Sequence, residues 1–236
     1  MPNTVLITGA GRGIGLATAR AFLNAGWKVF ALDKDFSSFD LPGAERIQFD
    51  LRNLSEIEKL VESTGQIHTL VNNAGVLFCD PYEAIPEQNK REVLTVNIEA
   101  PAALITALAP QMKKRKSGRI VNVGSVAAFT GHPDLWYGIT KAGILNLTKA
   151  WAKELGPHGV LVNAVAPGPT QTAMYDQLPQ SQGRRDEKRL FGPRLHARGG
   201  RRGDPVARQR LPGVRERDYA GRQQRFLSAL APRRPP

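Results

Sequence analysis

The sequence is poor in the features that mark a secreted or membrane-spanning protein. Its 236 residues include one cysteine, Cys79, so no disulfide can form within the chain, which is typical of a reducing compartment. No apolar run reaches the roughly 18 residues that a membrane-spanning helix needs. The amino-terminal MPNTVLITGAG has no basic segment followed by a long apolar one. We therefore expect a cytoplasmic protein with no membrane partner.

Net charge is also missing from most of the chain. The whole sequence has a formal charge of +12, which by itself favours a nucleic-acid partner. Residues 183–236 hold 16 Lys and Arg against 5 Asp and Glu, whereas residues 1–182 hold 17 against 16. The basic character therefore belongs to the C-terminal segment, and we expect no nucleic-acid partner for the body of the protein.

Residues 1–182 alternate between short apolar runs and longer stretches with helical periodicity. The apolar runs are nearly continuous, as in parallel strands covered on both faces; they are TVLIT, KVFAL, RIQF, HTLVNN, RIVNVGS and VLVNAVAP. Helical spacing extends over residues 13–25, 54–63, 87–116 and 136–155. This alternation predicts a doubly wound α/β domain, a parallel sheet with helices on both faces.

The first apolar run is followed directly by a glycine-rich motif, TGAGRGIG, which opens a helix. Its glycines permit a tight turn, a close approach of the backbone to a pyrophosphate, and close packing of the helix on the strand. The helix start offers free N–H groups and the positive end of the helix dipole. A turn without ligand is the alternative, but the strand–turn–helix context predicts a dinucleotide site formed by Thr8, Gly9, Arg12, Gly13, Ile14 and Gly15.

Asp33 ends the second apolar run. A carboxylate at this place can accept hydrogen bonds from the adenosine ribose hydroxyls, and it repels a 2′-phosphate. Arg12 and Lys34 oppose this preference, since either could meet a phosphate. We expect NAD as the cofactor, with NADP as the less favoured alternative.

Tyr137 and Lys141 lie four residues apart in YGITK. This spacing places a phenol and an ammonium on one face of a helix. The pair is either an accident of a helix surface or an acid beside the cation that tunes it, and the rest of the chain must decide.

Six features occur in the order and approximate spacing of the short-chain dehydrogenase/reductase family: TGAGRGIG, NNAG at 72–75, Asn97, Ser125, Tyr137 with Lys141, and NAVAPG at 163–168. Residues 3–180 resemble this family, and in general appearance its 3-oxoacyl-(acyl-carrier-protein) reductases. The resemblance implies a Rossmann-type fold and a homodimer or homotetramer. It also implies hydride transfer between nicotinamide and a carbonyl or secondary-alcohol carbon.

The resemblance also implies roles for four catalytic residues. Tyr137 is expected to be the acid/base, because Lys141 would lower its pKa from about 10 toward neutrality. Lys141 would also hold the nicotinamide ribose. Ser125 would hydrogen-bond the substrate oxygen, and Asn97 would hold a water in a proton relay toward Lys141.

Further positions resemble the family's cofactor contacts. The adenine would be flanked by Asp50 and Leu51. The turn that approaches the adenosine ribose would contain Asn73, Ala74 and Gly75. The loop over the nicotinamide would contain Pro167, Gly168, Thr170 and Thr172. The histidines have no metal-ligand spacing with carboxylates or cysteines, so no metal site is expected.

Strand and helix periodicity stops after about Gln182. Residues 183–236 contain 15 Arg, one Lys, 7 Gly and 6 Pro, as in a disordered basic arm. A second hypothesis is out-of-frame translation: codons for 211–214, displaced by one base, can encode Phe-Leu-Ala-Ser, which resembles the family sequence before its last strand. On that hypothesis the substrate-capping segment and the last strand of the sheet are missing, and resequencing the gene tests it.

Two alternative functions stay open. A nucleotide-binding remnant with little activity would bind NAD(H) without turning over carbonyl compounds, because its substrate segment is lost. A nucleic-acid binder would act through its tail, with salt-dependent binding that disappears on deleting 183–236; the tail's few aromatics argue against it.

Overall fold

The protein is described by a computed structural model that covers residues 3–168, 170 and 174. Within these residues, six strands form one sheet: β1 (Thr4–Thr8), β2 (Lys28–Asp33), β3 (Glu45–Gln48), β4 (Thr69–Asn72), β5 (Gly118–Val123) and β6 (Val160–Val165). Their order is β3-β2-β1-β4-β5-β6, and every neighbouring pair is parallel. The predicted doubly wound α/β sheet is confirmed. The expected loss of a last strand concerns residues outside the described part.

Five α-helices connect the strands within the described residues: α1 (Gly13–Asn24), α2 (Ile57–Thr64), α3 (Glu87–Leu94), α4 (Ala100–Arg115) and α5 (Leu135–Leu155). A π-helical turn, Thr95–Glu99, joins α3 to α4. The helical stretches expected from periodicity are therefore present, and the longest of them contains an irregular turn. Such π turns occur often at functional sites.

Side chains alternate between two cores on opposite faces of the sheet. Leu6, Leu70 and Ile120 point into one core, which α2, α4 and α5 cover. The intervening residues Val5, Ile7 and Val71 point into the other, where α1 packs. Because these strands are buried on both faces, their sequences are continuous apolar runs rather than alternating ones.

The continuous helical stretch Glu87–Arg115 is the one stretch within the described residues that is long and apolar enough, by length and composition, to cross a membrane. Half of its most apolar window is buried inside the fold. Core helices of ordinary globular domains have this character.

The strand order places the site. In a doubly wound sheet, ligands bind beyond the carboxyl ends of the strands where the chain reverses its direction of winding. Here the winding reverses between β1 and β4, which are neighbours in the sheet. The segments after β1, β4, β5 and β6 therefore meet at one edge.

Candidate active site

Two glycines shape the turn between β1 and α1. Gly9 has a φ of 65°, and a Cβ on it would lie 2.8 Å from the Cα of Ala74. A Cβ on Gly15 would lie 2.0 Å from the carbonyl oxygen of Gly9. This geometry agrees with a tight turn at Gly9 and close packing at Gly15. α1 begins at Gly13 without a hydrogen bond from the side chain of its N-cap residue, Arg12, so its first N–H groups suit a phosphate.

Thr8 and Asn73 join the turns after β1 and β4. The Thr8 hydroxyl accepts the backbone N–H groups of Asn73 and Ala74, both at 3.0 Å. The Asn73 amide donates to the carbonyls of Thr8 and Gly9, at 3.0 and 3.1 Å. Both polar side chains are therefore engaged in building the site rather than facing out of it.

Asp33 orders the glycine-rich turn. Its carboxylate accepts the N–H of Gly11 at 2.8 Å and that of Asp35 at 3.1 Å. Hydrogen bonds from Ser37 hold the pKa of the exposed Asp35 below its usual range, with smaller contributions from Arg12 and Lys34. Carboxylates and cations therefore lie near one another at the carboxyl end of β2. The arguments for NAD and for NADP both keep their residues here.

Asp50 and Leu51 follow β3, but their side chains have structural partners. Arg52 binds the Asp50 carboxylate at 2.6 Å, and this hydrogen bond lowers the pKa of Asp50. Leu51 is buried in the core with α2 and α4. Contacts with an adenine by these two side chains stay a prediction, and Leu51 is largely covered already.

The start of α5 brings three of the predicted catalytic residues together. The Lys141 ammonium nitrogen lies 5.5 Å from the centre of the Tyr137 ring and donates to the Val123 carbonyl at 2.8 Å. Ser125, which follows β5, lies near enough to the Tyr137 hydroxyl to lower its pKa, and its Oγ accepts the N–H of Ala127 at 3.1 Å. Tyr137 and Lys141 are 9% and 5% exposed, which excludes a helix-surface accident.

The pKa of Tyr137 corrects the expectation from sequence. Burial raises it above 10, a hydrogen bond with Ser125 lowers it in part, and the charge of Asp134 raises it further. Burial also lowers the pKa of Lys141 to about 8. The predicted net decrease for Tyr137 is wrong for this structure, because removal from water penalises the phenolate more than its surroundings stabilise it.

Asn97 lies in the π-helical turn and is 2% exposed. Its Oδ1 accepts the N–H of Val76 at 2.9 Å, and its Nδ2 donates to the Val76 carbonyl and the Thr140 hydroxyl, both at 3.0 Å. Both amide hydrogens are therefore used. A Cβ on Gly75 would lie 3.3 Å from the Lys141 nitrogen and 3.4 Å from Asn97 Oδ1, so the glycine lets the backbone lie close to both side chains.

The loop after β6 reaches the same place. The Pro167 carbonyl accepts the N–H of Val126 at 3.0 Å, next to Ser125. The Thr170 hydroxyl donates to the Gly168 carbonyl at 3.0 Å. Thr172, the fourth residue predicted for this loop, lies outside the described residues.

Two neighbours of Tyr137 were missed from the sequence. Asp134 is the N-cap of α5 and is 6% exposed, and Thr140 is 1% exposed with its hydroxyl donating to the Tyr137 carbonyl at 2.9 Å. An aspartate before the apolar run LWY is a recognisable helix-start signal, so Asp134 could have been found as a cap. The sequence has no signal for the partners of Thr140. The ring of His132 packs against Tyr137 at 4.8 Å.

These features fit a nicotinamide dinucleotide. An uncapped helix start follows a turn whose glycines Gly9 and Gly15 have no room for a side chain, and the backbone of Gly75 lies close to the Lys141 ammonium. No group of three or more metal-ligating side chains occurs in the part of the chain that the structure describes.

Comparison with known proteins gives consistent matches. A family model described as short chain dehydrogenase matches residues 3–183. A 3-oxoacyl-(acyl-carrier-protein) reductase of Thermotoga maritima is 36% identical over 191 residues, which cover 74% of this chain and 77% of that protein.

Solved structures agree with the sequence relatives. A short-chain dehydrogenase from Sphingobium yanoikuyae in complex with NADPH has a TM-score of 0.70 and 31% identity, over 75% of each chain. A 4-hydroxyisoleucine dehydrogenase complexed with NADH has a TM-score of 0.69 and 29% identity, over 76% of this chain and 81% of that one. The matches include both cofactors, so they support a nicotinamide cofactor but not the expected preference for NAD.

Proposed function

This chain belongs to the short-chain dehydrogenase/reductase family, whose members are oxidoreductases, and on that premise we propose that Tyr137 is the acid/base of a hydride transfer. The reacting centre is a carbonyl or secondary-alcohol carbon. One observation supports this most directly: Tyr137, Ser125 and Lys141 lie together beside the backbone of Gly75.

A bound nicotinamide would supply or accept the hydride. In the reducing direction, Tyr137 donates its hydroxyl proton to the substrate oxygen as that oxygen gains negative charge. Ser125 donates a hydrogen bond to the same oxygen and sets its orientation. With a pKa of about 8, Lys141 is still largely an ammonium at pH 7, so it stabilises the phenolate that remains.

Asn97 has a structural part in this proposal as well as the expected proton relay. Its amide holds Val76 and Thr140, so a relay water would bond to the main-chain carbonyl of Asn97 rather than to the side-chain NH₂. The π-helical turn around Asn97 is an irregularity of the kind that accompanies functional sites.

Substitution of Tyr137 by Phe tests the proposal. Y137F removes only the proton donor, so we expect a loss of turnover of about 10²- to 10⁴-fold with unchanged binding of NAD(H) or NADP(H). Binding is measured by cofactor fluorescence, and turnover on a panel of aldehydes, ketones and secondary alcohols. Equal turnover by Y137F and the unsubstituted protein would contradict the role of Tyr137. Binding without turnover by the unsubstituted protein would instead favour the nucleotide-binding remnant.

We also propose a preference for NAD, which is based on Asp33. D33N should raise kcat/KM with NADP relative to NAD by at least about tenfold, since a carboxylate near a 2′-phosphate costs several kcal/mol. D35N is the matched control, because Asp35 is a neighbouring exposed carboxylate that bonds Ser37 rather than the glycine-rich turn. An unsubstituted protein that already favours NADP would contradict this proposal.

The assembly and location are proposed on the same premise. We expect a cytoplasmic homodimer or homotetramer without nucleic-acid or membrane partners. Leu135 and Ile139 support an assembly, because these apolar residues of α5 are 50% and 46% exposed. Light scattering of the purified chain gives the assembly state.

A further inference from the structure

Five hydrogen bonds form a closed circuit through the backbone of Tyr137. Val76 N–H donates to Asn97 Oδ1, Asn97 Nδ2 to the Thr140 hydroxyl, and that hydroxyl to the Tyr137 carbonyl. On the other side, Tyr137 N–H donates to Asp134 Oδ1 and Phe78 N–H to Asp134 Oδ2, both at 2.8 Å. The peptide chain from Val76 to Phe78 closes the path, which we call the Tyr137 circuit.

The circuit joins three parts of the chain that are distant in sequence. Asn97 belongs to the π-helical turn, Asp134 and Thr140 to the first turns of α5, and Val76 and Phe78 to the segment after β4. The three polar side chains, those of Asn97, Asp134 and Thr140, are 2%, 6% and 1% exposed. Buried polar networks with satisfied partners rigidify their surroundings, because opening one bond leaves a group without water or partner.

The Asp134 carboxylate bridges two segments of the circuit. Its two oxygens serve different segments, and Oδ2 also accepts the N–H of Cys79 at 3.3 Å. Cys79 has a φ of 55°, an unusual conformation for a residue with a side chain. The carboxylate therefore holds the segment after β4 against the start of α5.

The circuit and its neighbours surround Tyr137 on several sides. It holds Tyr137 on both its N–H and its carbonyl side, and Leu77, inside the same segment, packs with Ala127 against the Tyr137 side chain. Because the backbone of Tyr137 is held and its ring is packed between neighbours, few positions remain for its hydroxyl. Proton transfer is sensitive to such placement, because an error of about 1 Å can cost about 100-fold in rate.

We propose that Asp134 and Thr140 are positioning residues that fix Tyr137 for proton transfer through this circuit. The inference rests on the proposed function, since it concerns the same phenol. It adds two residues, the closed path that connects them and the segment from Val76 to Phe78 as one wall of the site.

Two matched pairs of variants test it. T140V removes the Thr140 hydroxyl from the circuit, and T148V makes the same change to a buried threonine two turns later on α5 whose hydroxyl bonds Ile144 and Asn122 instead. D134N places an NH₂ group either against the N–H of Tyr137 or against those of Phe78 and Cys79, and D80N makes the same change in a carboxylate that bonds only Asn89 among the described side chains.

We expect T140V and D134N to lower kcat by about tenfold to 100-fold with little change in the KM for cofactor. T148V and D80N should stay within about twofold of the unsubstituted kcat, even where T148V lowers stability. T140S, which keeps the hydroxyl, should recover most of the loss. A kcat for T140V equal to that of T148V, or a failure of T140S to recover activity, would overturn the proposal.

A second readout needs no turnover. Tyr137 is faced by Lys141 from α5, by His132 and Asp134 before α5, and by the Cys79 thiol, whose pKa burial raises to about 11. With ¹³Cζ-labelled tyrosine and Y137F for assignment, D134N should lower the pKa of Tyr137 because a negative charge is removed, whereas D80N should not. Amide exchange at Phe78 should quicken in D134N and T140V only.

These outcomes separate the two proposals. An unsubstituted protein without turnover on any substrate would refute the proposed function, while the titration and exchange of Tyr137 and Phe78 would still decide on the circuit. Unchanged exchange in both D134N and T140V would refute the circuit, whatever the activity.

Discussion

Lys141 holds an ammonium group where water has little access. It is 5% exposed, and its one hydrogen bond to a described residue is to the Val123 carbonyl. Burial lowers its pKa from 10.5 to about 8, and it raises the pKa of Tyr137. Spacing along a helix indicates that such a pair can meet, but the balance between desolvation and attraction depends on everything packed around it.

The burial of Lys141 predicts that this residue lowers the stability of the fold. K141M should have a larger free energy of unfolding than the unsubstituted protein at pH 7, by about 1 kcal/mol or more, because no charge is then buried. The loss of the hydrogen bond to the Val123 carbonyl offsets part of this gain. Between about pH 8 and 10.5 the unfolded chain keeps the lysine proton that the fold has lost, so the unsubstituted protein gains stability with rising pH and the difference shrinks.

Urea unfolding at pH 7 and pH 10 measures both effects. K149M is the matched control, since Lys149 lies on the same helix but is exposed, and it should change stability by less than about 0.5 kcal/mol at either pH. Lower stability of K141M at pH 7, or a difference independent of pH, would contradict the argument.

At the scale of secondary-structure elements, a buried polar ladder fastens α5 to the sheet. Asn72 of β4 donates to Asn122 of β5, and Asn122 donates to the Thr148 hydroxyl, both at 2.9 Å. Thr148 in turn donates to the Ile144 carbonyl at 2.7 Å. The Ile144 carbonyl can only accept, so the Thr148 hydroxyl donates to it and accepts from the NH₂ group of Asn122. This fixes the orientation of both amides and leaves Asn72 Oδ1 without a partner among the described residues.

Removal of the ladder's last hydroxyl should be costly. T148V leaves the Asn122 NH₂ group buried without an acceptor, so we expect a loss of about 1–3 kcal/mol in the free energy of unfolding. T106V is the matched control: Thr106 makes the same hydrogen bond to the carbonyl four residues earlier, at 2.9 Å, on an exposed face of α4. T106V should change stability by less than about 0.5 kcal/mol. Equal losses in the two variants would show that the ladder adds nothing.

At the scale of the whole molecule, two compositions meet near residue 183. The family match ends at residue 183, where the nearly neutral body gives way to a segment with 15 Arg and one Lys. Leu161 of β6 is 56% exposed, an unusual exposure for a leucine of a parallel strand. These observations support the hypothesis that residues 183–236 are translated out of frame, and it stays a hypothesis.

DNA sequencing across the codons for residues 175–190 tests it. We expect a one-base insertion or deletion relative to close relatives, after which the corrected frame encodes a family-like C-terminal segment. The corrected protein should unfold at higher temperature than the present chain, because added chain would cover apolar surface such as Leu161. A single intact frame shared with close relatives would contradict the hypothesis.

The sequence by itself determined the order of strands and helices, the glycine-rich turn and the candidates Ser125, Tyr137 and Lys141. These are local properties: periodicity, turn residues and spacing along one helix act over a few residues. Only the tertiary structure decided that Asn97 uses its amide on Val76 and Thr140, that Asp134 joins two segments, and that burial raises the pKa of Tyr137. Each of these depends on groups brought together from distant parts of the chain, and desolvation has no signature in the order of residues.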